Sequence, residues 1–280
     1  MIGAVVVLYN PSKEEIQNIN TYKNKVAHTV IIDNSDENNR ALIDNIVSIN
    51  SNITYYSEQN NLGLAKAFNL GIDILYQKGC QWALLFDADS KIGSDIFTIY
   101  KNTIQKYNNN KVALFAPVHI HERSKNKPYN GYKEIKWSMT SGCLYNCEIF
   151  IKQEGFFEKL FVDGLDMDYC LKSHENHYLI IECGNAIINH SPAKTKKILG
   201  IKYGIDAPFR YFMQARQLIW CWKRYNNLSM LLIYIYKWGK VIFLFPNKKE
   251  YIKSMIKGTK EGYTLINDWN DKKCSVLISY

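Results

Sequence analysis

Short apolar runs alternate with helical patterns through about residue 120, and this alternation is the feature that most narrows the choice of fold. Runs such as AVVVL (4–8) and TVIID (29–33) are almost continuously apolar. A strand reads this way when both of its faces are buried, as in βαβ units whose helices cover a parallel sheet. The chain is therefore predicted to form an α/β fold with a mostly parallel sheet.

Five strands and four helices are predicted in this part. The strands are Ile2–Tyr9, Thr29–Asp33, Ile53–Ser57, Trp82–Phe86 and Val112–Pro117. The helices lie near Ser12–Lys25, Asn38–Ile49, Leu62–Lys78 and Ile96–Tyr107. Ser12 and Glu15 have the spacing of a capping box at the first helix.

The pattern changes at about residue 118. HIHERSKNKPYNGYKEIKW is polar, with a turn signal that predicts a hairpin or a mobile loop. A strand is predicted in TSGCLYN (140–146), a helix start in FVDGLDMDYCLKS (161–173) and a strand in HYLIIECGNAIINHS (177–191). From residue 206 the chain is helical, basic and aromatic. We expect a domain over 1–205, with halves 1–117 and 118–205, and a helical extension over 206–280.

Polar residues follow three predicted strands. These are Tyr9-Asn10-Pro11, Asp33-Asn34-Ser35 and Asp87-Ala88-Asp89. Ligands of open parallel sheets bind outside the carboxyl ends of the strands. Asp87 and Asp89 fall on the same side of their strand, and Mg²⁺ usually takes one or two protein carboxylates together with substrate phosphates. The pair predicts a metal–diphosphate site.

A second acidic cluster contains Asp163, Asp166 and Asp168. Asp166 or Asp163 is a candidate general base, and helix capping is the alternative function for each of these residues. His190 ends a predicted strand, where a ligand role and a structural role are both open. The other histidines at 119, 121, 174 and 177 are expected at the surface.

The net charge of +9 and the pI near 9.0 indicate an acidic partner, such as nucleic acid, anionic lipid or a phosphorylated small molecule. Nucleic acid is disfavoured because the charge is spread along the chain and no known binding motif is found. Arg210, Arg216 and Lys202 are candidates to neutralise a phosphate, or they form a solvated face.

Seven cysteines without a CxxC pair indicate buried free thiols. The N-terminus predicts a first strand and no signal peptide, so we expect a cytoplasmic location.

SMLLIYIYKWGKVIFLF (229–245) is strongly apolar, but Lys237 and Lys240 interrupt it. A spanning helix needs about 20 mostly apolar residues, so spanning is not expected. Contact with the inner face of the plasma membrane, a core helix and a homodimer interface are the alternatives.

Several motifs in order resemble one family. They are VVLYNP (6–11), IIDNS (31–35), NNLGLAKAFNLGI (60–72), LLFDADS (84–90), TSGCL (140–144), FVDGLDMDYCLKS (161–173), INHSP (188–192) and RYFMQARQ (210–217). Over residues 2–220 the chain resembles the family 2 glycosyltransferases of GT-A fold, closest to the bacterial rhamnosyltransferase-like branch. This resemblance implies a Rossmann-like nucleotide-binding mixed sheet flanked by helices, with a C-terminal helical extension.

The resemblance also implies roles for individual residues. The residues that would bind the nucleoside-diphosphate sugar donor are Tyr9, Asn10, Asp33, Asn34, Asn60, Gly63, Lys66, Asp87, Arg210 and Arg216. Asp89 and His190 would hold Mg²⁺ or Mn²⁺, and Gly142 and Asp168 would contact the acceptor. Asp166 is the general base, because Asp166-Met167-Asp168 with Lys172 fits the register of the family. Leu165, Lys172 and Gln217 depart from that pattern. Leu165 stands where many members have a second acid, and this departure keeps Asp163 as the alternative base.

The implied reaction is inverting transfer of a sugar, rhamnose as first choice, to a hydroxyl of a glycan or lipid-linked acceptor in surface polysaccharide synthesis. The donor would be dTDP-rhamnose or a UDP-sugar carrying glucose or galactose. Two other classes of protein are alternatives to a glycosyltransferase. LLFDADS also resembles the nucleophile motif of haloacid-dehalogenase-type phosphatases, but three βα units precede it, and a nucleotidyltransferase would use the same aspartates. A non-catalytic nucleotide- or lipid-binding protein is the third class.

Overall fold

A computed structural model describes the chain except residues 38, 49, 89–90, 93–94, 108, 122–125, 190–193, 199–200 and 279–280, and it describes only the backbone of 91–92, 109, 194–198, 201–202 and 271–278. The chain forms two compact units. The first unit contains Met1–Phe161 and Tyr169–Ser191, and the second contains Val162–Asp168 and Pro192–Tyr280.

The bounds of the described elements are as follows. The strands are β1 (Ile2–Leu8), β2 (His28–Asp33), β3 (Ile53–Ser57), β4 (Trp82–Asp87), β5 (Lys91–Ile92), β6 (Val112–Ile120), β7 (Tyr132–Glu134), β8 (Leu144–Asn146), β9 (Leu179–Asn189), β10 (Lys194–Ile198) and β11 (Ile201–Ile205). The helices are α1 (Lys13–Asn18), α2 (Arg40–Val47), α3 (Leu64–Gln77), α4 (Ile96–Lys106), α5 (Cys147–Lys152), α6 (Leu165–Glu175), α7 (Pro208–Tyr225), α8 (Leu228–Leu244) and α9 (Lys248–Ile278). Short 3₁₀ turns cover Ile19–Thr21, Asn109–Lys111 and Glu158–Leu160.

Strands of the first unit form one mixed sheet. Within the described residues its order is β3-β2-β1-β4-β8-β6-β9-β5, with β7 also paired to β9. β1 to β4 are mutually parallel, and β8 runs antiparallel between β4 and β6. β6 and β9 are parallel to each other, so the carboxyl ends of six strands meet at one edge. The predicted fold class is confirmed.

Both faces of this sheet are buried, as the apolar runs predict. Every residue of β1 is buried. Val6 belongs to the same apolar core as Ile16 of α1 and Ile43 of α2. Val5 points to the other face, where α3 approaches so closely that a Cβ on Gly71 would overlap the Val5 side chain. Alternate residues of one strand thus pack against different helices, which explains why the run does not alternate with polar residues.

Some predicted elements differ in length from the observed ones. The Ser12–Glu15 capping box is present, with the Glu15 amide donating to Ser12 Oγ over 3.2 Å and the Ser12 amide donating to Glu15 Oε2 over 2.6 Å. However, α1 ends at Asn18 and gives way to a 3₁₀ turn. The strand predicted over 140–146 is shortened to β8, because Gly142 has φ +77° and the Cys143 amide donates to the Thr140 carbonyl in a tight turn.

The second unit contains helices α7, α8 and α9 and the antiparallel pair β10–β11, which is not among the strands predicted from the sequence. Its core includes Tyr211, Val241, Phe245, Tyr251 and Met255. Helix α6 begins in the second unit and ends in the first. None of the described helices is both long enough and apolar enough to cross a membrane.

Candidate active site

The ends of β1, β2 and β4 lie side by side at the carboxyl edge of the sheet. Leu8 pairs with Asp33, and Val7 pairs with Asp87. Tyr9 follows β1 and is 53% exposed, so its ring is open to a ligand. The first unit therefore brings together Tyr9, Asp33 and Asp87, as the spacing of the motifs predicts.

Asp33 is buried and holds the loop that follows β2. Its Oδ1 accepts a hydrogen bond from the Ser35 amide over 3.1 Å. Its Oδ2 accepts hydrogen bonds from Tyr55 Oη over 2.7 Å and from Asn39 Nδ2 over 3.1 Å. Burial, followed by this bond to Asp33, raises the pKa of Tyr55. Tyr55 and Asn39 were missed in the sequence, because neither belongs to a strand-end motif.

Asn34 connects three segments of the edge. Its amide donates to the Leu8 carbonyl over 2.8 Å, and its Oδ1 accepts from the Leu62 amide over 3.1 Å. Asn61 Oδ1 in turn accepts from Asn34 Nδ2 and from the Gly63 amide, over 3.3 and 2.9 Å. These bonds fix the segment that leads into α3.

The amino end of the 14-residue helix α3 follows directly. Gly63 has φ +79°, and a Cβ there would overlap the ring of Phe161, so the position requires glycine. Helix N-termini favour anions, because their amides are unpaired and the helix dipole is positive there. Asn60 and Lys66 are exposed beside this helix start. The side chain that stabilises the turn before α3 is that of Asn61, which accepts from the Gly63 amide. An asparagine two residues before a glycine is typical of such a turn, so this contact could be predicted from the sequence.

Asp87 lies next to the Ser141–Gly142 turn. Its amide lies 3.5 Å from Ser141 Oγ, to which it donates. Gly142 is buried with φ +77°, and a Cβ there would lie 2.6 Å from the Ile188 side chain. His119 Nε2 lies 2.7 Å from the Ser141 carbonyl oxygen and is 5% exposed, so its predicted surface position is wrong. Burial under the turn explains the difference.

The predicted metal ligands Asp89 and His190 lie outside the described residues. Asp87, which is half-buried at the end of β4, supplies the carboxylate oxygens that hard divalent cations prefer. In the described part of the chain, no three His, Cys, Asp or Glu side chains are grouped as a metal site. Carboxylate oxygens are suitable ligands for Mg²⁺ or Mn²⁺. The assignment of Asp89 and His190 as the metal ligands stays a prediction.

In the second unit, Asp163 and Asp166 share one acidic cluster with Arg210. Arg210 Nη2 lies 2.9 Å from Asp163 Oδ1. Asp163 Oδ2 is buried and has no hydrogen-bond partner among the described residues. Burial raises the pKa of Asp163, while Arg210 and Lys237 act in the opposite direction. Burial raises the pKa of Asp166 to about 6, and the nearby Asp163 adds to this shift.

Asp168 is 2% exposed and joins α6 to α7. Its Oδ1 accepts hydrogen bonds from Trp220 Nε1 over 2.6 Å and from Tyr225 Oη over 2.9 Å. Neither aromatic residue can be assigned to Asp168 from the sequence, since a basic aromatic helix does not indicate which ring faces an acid. The geometry favours an anchoring role for Asp168, and its predicted contact with an acceptor stays a prediction.

The two arginines of RYFMQARQ differ in their exposure to solvent and in their ion-pair partners. Arg210 is half-exposed and pairs with Asp163, whereas Arg216 is buried and its Nη1 lies 2.6 Å from Glu261 Oε1 of α9. Gly164 precedes α6 with φ +87°, and a Cβ there would overlap Gln217. The motifs around residues 163 and 217 therefore contact one another, although the donor roles of the arginines stay predictions.

Comparisons with known proteins place these observations in one family. The model described as glycosyl transferase family 2 matches residues 5–160. The dTDP-rhamnosyl transferase RfbF of Shigella flexneri is 28% identical over 291 residues, which cover 93% of this chain and 95% of that protein.

Two solved structures are similar in fold. S. aureus TarS 1–349 in complex with UDP-GlcNAc matches with a TM-score of 0.63 and 12% identity, over 92% of this chain and 81% of that one. GalNAc-T7 with UDP, GalNAc and Mn²⁺ matches with a TM-score of 0.56 and 13% identity, over 81% of this chain. The match spans 50% of the GalNAc-T7 chain.

Proposed function

The chain belongs to glycosyl transferase family 2, and on this basis we propose that it moves a sugar from a nucleoside-diphosphate donor to a hydroxyl of a glycan or lipid-linked acceptor. The observation that carries the proposal is the network of Asp33, Asn34 and Asn61 at the carboxyl edge of the parallel strands. Rhamnose is the first choice of sugar, since a dTDP-rhamnosyl transferase aligns with nearly the whole chain. A UDP-hexose is the alternative, supported by the UDP complexes with the same fold.

We assign donor binding to the first unit. Tyr9 is exposed for stacking on a nucleobase, and the buried carboxylate of Asp33 holds the loop of Asn34 in place. The amino end of α3 after Gly63 suits the diphosphate, because the positive end of the helix dipole lies there. Asn10, Asn60 and Lys66 are further donor residues of this unit in the proposal. The donor roles of Arg210 and Arg216 stay predictions from the sequence.

Asp166 is the general base in this proposal. A carboxyl with a pKa of about 6 is ionised at neutral pH and still basic enough to accept a proton from a hydroxyl in the transition state. Asp163 is the alternative, but the charge of Arg210 at 2.9 Å favours its ionised form and weakens it as a base.

The proposed transfer inverts the anomeric centre. Asp166 accepts the proton of the acceptor hydroxyl while the acceptor oxygen forms a bond to the anomeric carbon. The bond from that carbon to the diphosphate oxygen breaks, and the nucleoside diphosphate leaves with the electron pair. A divalent cation, when bound, offsets the charge on the departing diphosphate. Asp89 and His190 are the residues proposed to hold Mg²⁺ or Mn²⁺, and Asp87 is proposed to contact the sugar-nucleotide. Gly142 and Asp168 are assigned to the acceptor side.

Calorimetry with four donors tests the proposal. We expect dTDP-rhamnose to bind more tightly than UDP-glucose, UDP-galactose and GDP-mannose when Mg²⁺ or Mn²⁺ is present. Asp89→Ala should lose this binding, since one metal ligand is removed. Asp73→Asn removes an exposed carboxylate from α3 and is the matched control, which should bind as the wild type does. Absence of metal-dependent binding to every donor would refute the proposal.

A further inference from the structure

Helix α8 exposes an unusually apolar surface. Seven large side chains are exposed along it, and Ile233 lies apart from the other six, which are Leu228, Leu232, Ile235, Tyr236, Ile242 and Phe243. At 100° per residue these six fall on one side of the helix together with Gly239. We call these six residues and Gly239 the outer face of α8. Phe243 is 79% exposed and Leu232 is 66% exposed, so these side chains are well away from the core.

The two lysines of α8 form hydrogen bonds inside the second unit. Lys237 and Lys240 are its only charged residues, and it has no Asp or Glu. Lys237 Nζ donates to Gln214 Oε1 over 2.7 Å, and Lys240 Nζ donates to the Gly204 carbonyl over 3.1 Å. A surface helix of a water-soluble protein normally shows the opposite arrangement, with charges outward. The lysines of α8 thus bond inside the second unit, whereas the six large side chains of the outer face are exposed.

The outer face is continuous. From Leu228 to Phe243 the helix rises roughly 23 Å. Single exposed apolar side chains are common and need no explanation, but a contiguous apolar patch marks a contact surface.

Charge identifies the partner of this surface. The second unit contains 17 Lys and Arg against 8 Asp and Glu, a net charge of +9, which equals the net charge of the whole chain. The expectation that the charge is spread along the chain is therefore wrong, and the first unit is neutral. On α9, the exposed residues Lys249, Lys253, Lys257 and Lys260 follow each other at helical spacing. Apolar and cationic surfaces in one unit match a membrane that contains anionic lipid.

We propose that the outer face of α8 docks on the surface of a bilayer that contains anionic lipid. Its apolar side chains would enter the boundary between headgroups and acyl chains, with the helix parallel to the membrane plane. A second copy of the chain is disfavoured as the partner, because two units of charge +9 repel each other. This inference goes beyond sugar transfer and holds for any donor, and it would bring the chain to the surface where a lipid-linked acceptor resides.

Vesicle flotation of the full chain tests the docking. We expect binding to phosphatidylglycerol-containing vesicles, weaker binding to pure phosphatidylcholine vesicles, and a decrease in both the affinity and this preference at high salt. Leu232→Gln with Phe243→Gln should weaken binding roughly tenfold or more, since two apolar side chains no longer enter the lipid. Lys249→Gln with Lys253→Gln should weaken binding to the anionic vesicles only.

The matched control is Leu42→Gln with Tyr76→Gln, which removes two apolar side chains that are each 45% exposed in the first unit. This control should float as the wild type does, and melting curves check that each variant folds. If the outer-face double variant unfolds, Phe243→Gln alone, at the most exposed position, serves in its place. Equal flotation of wild type and outer-face variant overturns the proposal. So does a wild-type dimer in light scattering that the outer-face substitutions dissociate, because it assigns the face to a second copy.

Discussion

Three aspartates within six residues have three different environments. Asp163 is paired with Arg210, and Asp168 accepts hydrogen bonds from Trp220 and Tyr225. Asp166 is half-buried, and desolvation raises its pKa to about 6. The FVDGLDMD sequence shows the three carboxylates but does not distinguish them. Their burial and partners are what separate a candidate base from an ion-paired acid and a structural anchor.

The pKa of Asp166 predicts the pH dependence of transfer. A base must be ionised, so kcat should fall as the pH decreases through about 6. Asp166→Asn should retain donor binding in calorimetry and lose at least 100-fold in kcat, which is the usual size of a general-base contribution. Asp163→Asn removes a negative charge that raises this pKa, so the acid limb of the kcat profile should move to lower pH.

Melting curves provide a second readout of the same carboxyl. The folded-state pKa of Asp166 lies above the value of an ordinary carboxyl, so its ionisation opposes folding, and stability is lost as the pH rises through about 6. Asp166→Asn should therefore melt at a higher temperature than the wild type at pH 8, with little difference near pH 4. Undiminished turnover of Asp166→Asn would transfer the role of base to Asp163.

At the scale of elements, two glycines bring α9 close to α7. Gly258 and Gly262 are one helical turn apart. A Cβ on Gly258 would overlap the carbonyl oxygen of Phe212, and one on Gly262 would lie 2.7 Å from that of Arg216. The backbones are in contact at this crossing, where even a methyl group has no room.

This crossing predicts opposite effects of the same substitution at two sites. Gly258→Ala should destabilise the second unit by about 1–3 kcal/mol, since overpacking forces the helices apart. Gly239→Ala on α8 is the matched control, because among the described residues no atom beyond its chain neighbours and its own helix backbone lies within 4 Å of its Cβ position. It should stabilise the chain by about 0.5–1 kcal/mol through its higher helix propensity. Chemical denaturation measures both, and a stabilising Gly258→Ala would contradict the close crossing.

At the scale of the whole molecule, the cysteines are buried in both units. Cys80, Cys143, Cys147, Cys170, Cys183 and Cys221 are free and buried. Burial raises the pKa of Cys147 and of Cys183 to about 12. The thiolate is the reactive form, so these groups should be inert in the folded protein. The structure thereby confirms the prediction of buried free thiols for six of the seven cysteines.

Thiol titration checks this arrangement. In the folded chain, at most one of the seven cysteines should react with a thiol reagent within minutes, and all seven should react in denaturant. Asp166→Asn should give the same counts if it keeps the native fold. Rapid reaction of several thiols without denaturant would contradict the packing around them.

The sequence alone determined the order and type of the main elements and the polar residues at the strand ends. Apolar runs such as AVVVL and TVIID record burial on both faces of a strand, and the Ser12–Glu15 cap records a local hydrogen bond, so both can be read from neighbouring residues. Tertiary structure decided the contacts between distant segments. Tyr55 and Asn39 on Asp33, the turn at Gly142 that shortens β8, and the inward lysines of α8 all depend on packing partners that no local pattern records.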